Sequence, residues 1–193
     1  MSGIKSGKTR TDGVESIFKS GYNQYIEIHC SLGNEPVRCC SILFTESYTM
    51  KKGVEIMKDY IAQQVHKRYW DDDINCARTA LTCLADCFAV TIQDQTLSSA
   101  IGLHGAGGFR AQCGLVEGAL MFMGIYFHLN GKSDSEIADI CYEYAELFIR
   151  KFGSLRCFDL RPNGFSENDP PHACEELTVN AILFSYEFVR SIG

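Results

Sequence analysis

The sequence predicts a mainly helical protein, a five-helix, bundle-like single domain preceded by a small β-hairpin extension. Three observations predict it. Apolar residues recur at three-to-four spacing from Val54 onward, capping and stop residues separate the runs, and the first fifty or so residues instead alternate or are polar. The chain has 193 residues, 46 % of them hydrophobic and 22 % charged, enough for one substantial core without covalent staples.

The elements follow in order. Residues 1–21 are rich in Gly, Ser and Lys and carry at most a short helix over Val14 to Lys19. Apolar and polar residues alternate from Tyr25 to Cys30. A β-prone run from Val37 to Phe44 follows the turn-like Gly33-Asn34-Glu35-Pro36, which together reads as a hairpin. Residues 1–53 are thus an N-terminal extension and residues 54–193 the helical domain. In that domain Val54, Met57, Ile61 and Val65 place a first helix ending near Trp70. Asp71-Asp72-Asp73 offers an N-cap and favourable charge to a second, roughly Ile74 to Phe88. The polar stretch Thr91 to Thr96 and the glycine-rich loop Gly102 to Gly108 lead into an apolar third helix from about Gln112, stopped by Asn130-Gly131. Ser133 with Glu136 makes a capping box for a fourth, whose face Ile137, Cys141, Tyr144, Phe148 and Phe152 runs to Gly153. Asp169-Pro170-Pro171 opens a fifth, with Leu177, Ala181, Phe184 and Phe188 on its buried side.

Charge and hydropathy exclude several classes. A net charge of -6, with only Lys5, Lys8 and Arg10 forming a basic start, argues against a nucleic-acid partner. The most apolar run, Leu115 to Leu129, is shorter than the roughly 20 residues that cross a bilayer and is interrupted by Glu117, so no membrane span is expected. The opening MSGIKSGKTRTDG lacks the apolar stretch of a signal peptide, which points to a reducing, cytoplasmic setting in which ten cysteines are thiols or ligands before they are disulfides.

The cysteines carry the chemistry. Cys76, Cys113 and Cys174 each fall in about the first turn of an expected helix, where free N–H groups and the macrodipole favour a thiolate. The thiolate is both the nucleophilic and the metal-binding form of the residue, and Cys157, in the loop after Gly153, could add a fourth sulfur. Cys83 and Cys87 share a helical face with Cys76 and read as core, as does Cys141; Cys30, Cys39 and Cys40 belong to the extension and make a weak metal signal. His104 and His172 lie near Cys113 and Cys174, but surface or capping roles outweigh ligation at a soft-metal site. The loop from His104 to Gly108 could wrap a ligand with its amides, although it fits no phosphate or dinucleotide pattern. Gly114 and Gly118 make a smooth stripe that lets a helix or a cluster come close to the backbone.

These residues resemble a family of redox-active proteins named for a C…CGAxxG…C…C pattern and related to a domain of the split-Soret cytochromes. The match runs from Asn75-Cys76-Ala77 through Gly105 to Gly108 and Cys113-Gly114-Leu115-Val116-Glu117-Gly118 to Gly153-Ser154-Leu155-Arg156-Cys157 and Cys174. It covers about Val54 to the C-terminus. Leu115 departs from the family's usual alanine, and no CxxCH motif is present, so no haem is carried over. The resemblance implies a helical fold and a redox or iron-sulfur role for Cys76, Cys113, Cys157 and Cys174, with Gly114 and Gly118 beside them. The leading expectation is an iron-sulfur protein, 2Fe-2S among the forms considered, passing electrons to an unknown redox partner. A thiol/disulfide enzyme using the same cysteines is one alternative; a zinc-stapled or metal-free module that forms a homodimer through the hairpin and the glycine face is another.

Overall fold

A computed structural model describes residues 42–161, 164–166 and 168–193. Among the described residues are seven α-helices: α1 (Ile42–Trp70), α2 (Cys76–Cys87), α3 (Asp94–Ser99), α4 (Gly114–Leu129), α5 (Asp134–Phe152), α6 (Cys157–Leu160) and α7 (Glu175–Ile192). A 3-10 turn, Ala100–Gly102, follows α3, and an isolated antiparallel bridge joins Gln112 to Arg156.

The predicted hairpin lies almost wholly outside the described residues. Its last three, Ile42 to Phe44, belong to α1 instead. β-Propensity is a weak local preference, and no helix breaker other than Gly53 stands between Phe44 and the apolar repeat. Gly53 meets no neighbour within 4 Å, and a helix tolerates such a glycine at about 1 kcal/mol. The predicted core position Val54 is consequently 43 % exposed, whereas Ile61, Val65 and Tyr69 further along α1 are buried.

The locally encoded boundaries of α5 are where the sequence places them. Ser133 Oγ accepts the Glu136 amide while the Glu136 carboxylate accepts the Ser133 amide at 2.8 Å, a closed capping box worth about 1 kcal/mol. At the other end Gly153 takes φ +92, which an L side chain resists, and its N–H reaches Ile149 O at 2.7 Å.

Three boundaries differ from expectation. The cap of α2 is Asn75, not the acidic triplet, because Asp73 turns to φ 47 and takes the chain out of line with the coming helix. Thr91 to Thr96 is not all loop, since α3 begins at Asp94. α7 starts four residues beyond Pro171, after a turn in which His172 adopts φ 55.

Packing centres on α2 and α4, which meet backbone to backbone where Ala77 and Ala80 face Gly118. Around this crossing α4 buries Leu115, Val116, Ala119, Phe122, Met123 and Phe127, while α7 contributes Val179, Ala181, Ile182, Phe188 and Val189 and α5 contributes Tyr144 and Phe148. Buried hydroxyls fix the neighbours: Tyr69 pairs with Thr178 at 2.7 Å, tying α1 to α7, and Tyr144 pairs with Ser185 at 2.9 Å, tying α5 to α7. The Arg68 guanidinium joins α1 to α2 through Thr82 at 2.8 Å and through Asp86. No helix among the described residues is long and apolar enough to cross a membrane.

Candidate functional site

Each of the four cysteines singled out by the sequence stands at a helix start. Cys76 is the first residue of α2, Cys113 the N-cap of α4, Cys157 the first residue of α6 and Cys174 the N-cap of α7. Local bonding brings these ends together. Asn75 Oδ1 accepts the Arg78 amide at 2.9 Å, and its Nδ2 donates to Ile101 O at 2.7 Å, which pins the turn after α3 to the start of α2. The Cys113 amide donates to Leu155 O at 2.8 Å and the Cys157 amide to Ala111 O at 2.7 Å, on either side of the Gln112–Arg156 bridge. Side chains alternate along extended chain, so this register puts Cys113 and Cys157 on one face of the bridge.

Ionisation of any one of the four thiols would be opposed by a thiolate at any other. Cys113, Cys157 and Cys174 each act on Cys76; Cys157 and Cys174 act on Cys113; Cys157 acts on Cys174. Burial pushes Cys76 and Cys113 up to about 12, and mutual repulsion of the sulfurs adds to it. The expectation that helix starts make these thiols easy to ionise is therefore corrected. Amides of Ala77 at Cys76, and of Leu115 and Val116 at Cys113, do favour the thiolate, but a helix N-terminus contributes about 0.3–1 kcal/mol. The rise from 9.0 to about 12 corresponds to about 4 kcal/mol, so desolvation prevails. Cys157 and Cys174 are also raised by burial, opposed at both by Arg161 and at Cys157 by Arg110. Among the described residues no three His, Cys, Asp or Glu side chains lie close enough to hold a single ion.

The glycines do two jobs. A Cβ at Gly114 would come 2.5 Å from Cys76 Sγ and 2.6 Å from Leu103 O, so this position must be bare for Cys76 to lie against α4. A Cβ at Gly118 would collide with Ala77 O, which makes Gly118 the contact that seats α2 on α4. Their shared face is filled from within the chain and is not a surface for a second copy. Leu115, where the pattern has alanine, is buried in the core.

Part of the glycine-rich loop spends its amides on its own turns. Gly107 donates to Gly102 O at 2.8 Å, Gly108 to His104 O at 3.0 Å and, beyond the loop, Ala111 to Gly105 O at 3.1 Å. Gly105, at φ +68, packs with the position of its absent Cβ 3.4 Å from Cys157 Cβ. His104 Nδ1 lies 3.0 Å from Ile101 O, and the His172 ring stacks on Tyr69 at 4.9 Å and stands edge-on to Trp70 at 4.8 Å. Both rings have structural occupations.

Cys83 is fully buried and hydrogen bonds to Cys87, whose thiol is lowered by that bond despite partial burial; Cys141 is half-buried on α5. Cys30, Cys39 and Cys40 lie outside the described residues. Two residues near the site went unread in the sequence: Tyr69, buried and acted on by Cys76, Cys174 and Cys113, and Arg161, one helical turn after Cys157. The periodicity of α1 marks Tyr69 as inward-facing, and the four-residue step from Cys157 is the only cue to Arg161.

A helical fold that carries four cysteines to neighbouring helix starts defines a cysteine-centred class of protein. Within that class, residues 74–188 match the family described as "Putative redox-active protein (C_GCAxxG_C_C)", and the chain belongs to this family. The family carries a redox role. No curated protein and no solved structure matches the chain.

Proposed function

We propose that this is an electron-transfer protein holding an iron-sulfur cluster, 2Fe-2S in form, through Cys76, Cys113, Cys157 and Cys174. The observation that carries this is the convergence of helix starts: Cys76 Sγ lies against Gly114, the residue after Cys113, and the Gln112–Arg156 bridge sets Cys113 beside Cys157, with Cys174 at the start of α7. The donor set fits, because four thiolates are the ligands iron-sulfur clusters take.

Raised thiols weigh against a dithiol enzyme, which needs a thiolate near neutral pH. They suit a site whose ligands ionise when a cation arrives, since positive charge inverts the cost of burial. When bound, the cluster would supply one-electron chemistry. The chain would supply the ligands, the amides of Ala77, Leu115 and Val116 that favour thiolate at Cys76 and Cys113, the bare approach at Gly114, and exclusion of water by the core. Every described cysteine is free, which accords with a reducing, cytoplasmic setting.

Anaerobically purified full-length protein tests the proposal. Iron and acid-labile sulfide in equal amounts, in coloured protein that bleaches with dithionite, are expected. Zinc without sulfide, or colourless metal-free protein that cannot be reconstituted, overturns it.

A further inference from the structure

Arg161 combines three features that a salt-bridging surface arginine does not need. Its Nη2 donates to Asp169 at 3.1 Å, and Asp169 is itself fixed by the Ser166 amide at 3.0 Å, so the guanidinium is held from behind. Its plane lies over the Phe165 ring, 4.6 Å from the centroid, which restricts it further. With the side chain only 24 % exposed, Nε is buried and has no hydrogen-bond partner among the described residues. A buried N–H left unpaired costs about 1–3 kcal/mol and calls for an acceptor.

The nearest chemistry to Arg161 in the chain is the cysteine site. Its amide reaches Cys157 O at 3.2 Å, which puts it one turn further along the same short helix, and its charge acts on both Cys157 and Cys174. One clamped cation thus acts on the last two of the four sulfurs and keeps one buried donor free. Arg110 also acts on Cys157 and also lies over Phe165, at 4.2 Å, but it is exposed and its field is screened by solvent.

We infer that Arg161 is the positioning and potential-setting residue of the cysteine site: its Nε–H is the donor to an anionic sulfur, thiolate or cluster sulfide, beside Cys157 and Cys174. This rests on the cluster proposed above. A fixed positive charge and a hydrogen bond at sulfur favour the more negative, reduced state of a cluster and so raise its potential. Asp169 holds the fork and its charge opposes that of Arg161 at Cys174, so the free Nε–H, more than net charge, carries the effect. A merely structural arginine would leave the potential alone.

The test is reductive titration with dithionite of reconstituted full-length wild type, Arg161→Gln, Arg161→Lys and the control Arg110→Gln, each checked for iron and sulfide content. Arg161→Gln should shift the oxidised-to-reduced equilibrium about tenfold toward the oxidised state, a fall of 59 mV for one electron. Arg161→Lys should recover part of that, and Arg110→Gln should shift it less than threefold. If Arg161→Gln fails to load, iodoacetamide labelling of the metal-free chains decides, with Cys157 and Cys174 labelling several-fold more slowly in the variant than in wild type. Loaded Arg161→Gln at the wild-type potential, or unchanged labelling of those thiols where it does not load, overturns the role of Arg161 and leaves the cluster standing. Wild type that takes up no iron and sulfide overturns both.

Discussion

The two ends of α2 hold the same residue in opposite settings. At its start, Cys76 is acted on by three other cysteines at the starts of α4, α6 and α7, and burial pushes its thiol up to about 12. Two and three turns later, Cys83 and Cys87 pair with each other beside the Arg68–Asp86 pair, and the Cys87 thiol is lowered because Cys83 donates a hydrogen bond to it. What separates a candidate ligand from a packing residue is therefore not cysteine or exposure but which helix ends converge on it. Mid-helix amides are consumed by their own helix; those at a start are not.

The largest expected effect would break this comparison outright if it failed. Single Cys→Ser changes at 76, 113, 157 and 174 should abolish iron and sulfide loading, while Cys83→Ser, Cys87→Ser and Cys141→Ser should load fully. Metal analysis of the seven folded variants reads the result. Loading lost at 83 or 87 would erase the distinction between the two ends.

Second come the glycines of α4. Gly114→Ala drives a methyl into Cys76 Sγ and Leu103 O, and overpacking of this kind costs about 1–3 kcal/mol. It should also impair loading, because the sulfur has to move. Gly124→Ala on the same helix meets nothing within 4 Å and should stabilise by up to about 1 kcal/mol. Urea unfolding of both variants measures the contrast.

The third expectation is a pH profile for the metal-free protein. Cys87 should alkylate first near neutral pH, well ahead of Cys76 and Cys113, as mass spectrometry of timed iodoacetamide reactions will show. Stability should respond with a defined sign. In the unfolded chain Cys76 and Cys113 ionise near 9.0, but in the fold they keep their protons to about 12, so the folded state binds more protons between these values. Stability is thus lost as pH rises from about 9 to about 12, and a metal-loaded protein should not follow the same curve. The cap adds a local effect: Asn75→Ala removes the bonds to the Arg78 amide and Ile101 O and should cost about 1–2 kcal/mol.

The sequence revealed those parts of the fold that are decided within a few residues. Ser133 with Glu136, Asn130-Gly131 and Gly153 set their boundaries through their own hydrogen bonds and dihedrals, and the structure has them there. α3 was hidden because Asp94–Ser99 is too short to show a period, and the upstream part of α1 because Ile42 to Phe44 read locally as strand. The cap of α2 was misassigned because an acidic run looks like a cap unless the turn at Asp73 is known.

The site divides in the same way. Three of its cysteines were legible as helix starts, since caps and glycines announce them. Cys157 was not, because a four-residue helix leaves no pattern. The ionisation of the thiols could not be read at all, since helix-start amides are local and visible while the burial that outweighs them comes from distant parts of the chain, as where α4 lies against Cys76 at Gly114. Arg161 became visible only once Asp169 and Phe165 were seen to hold it.

X-ray absorption at the iron edge of the anaerobically reconstituted wild-type chain tests the central claim most directly. Sulfur alone in the first shell, with a second iron in the next, is the predicted result. Nitrogen or oxygen ligands, or an isolated iron with no metal neighbour, would contradict a cluster held by these four cysteines.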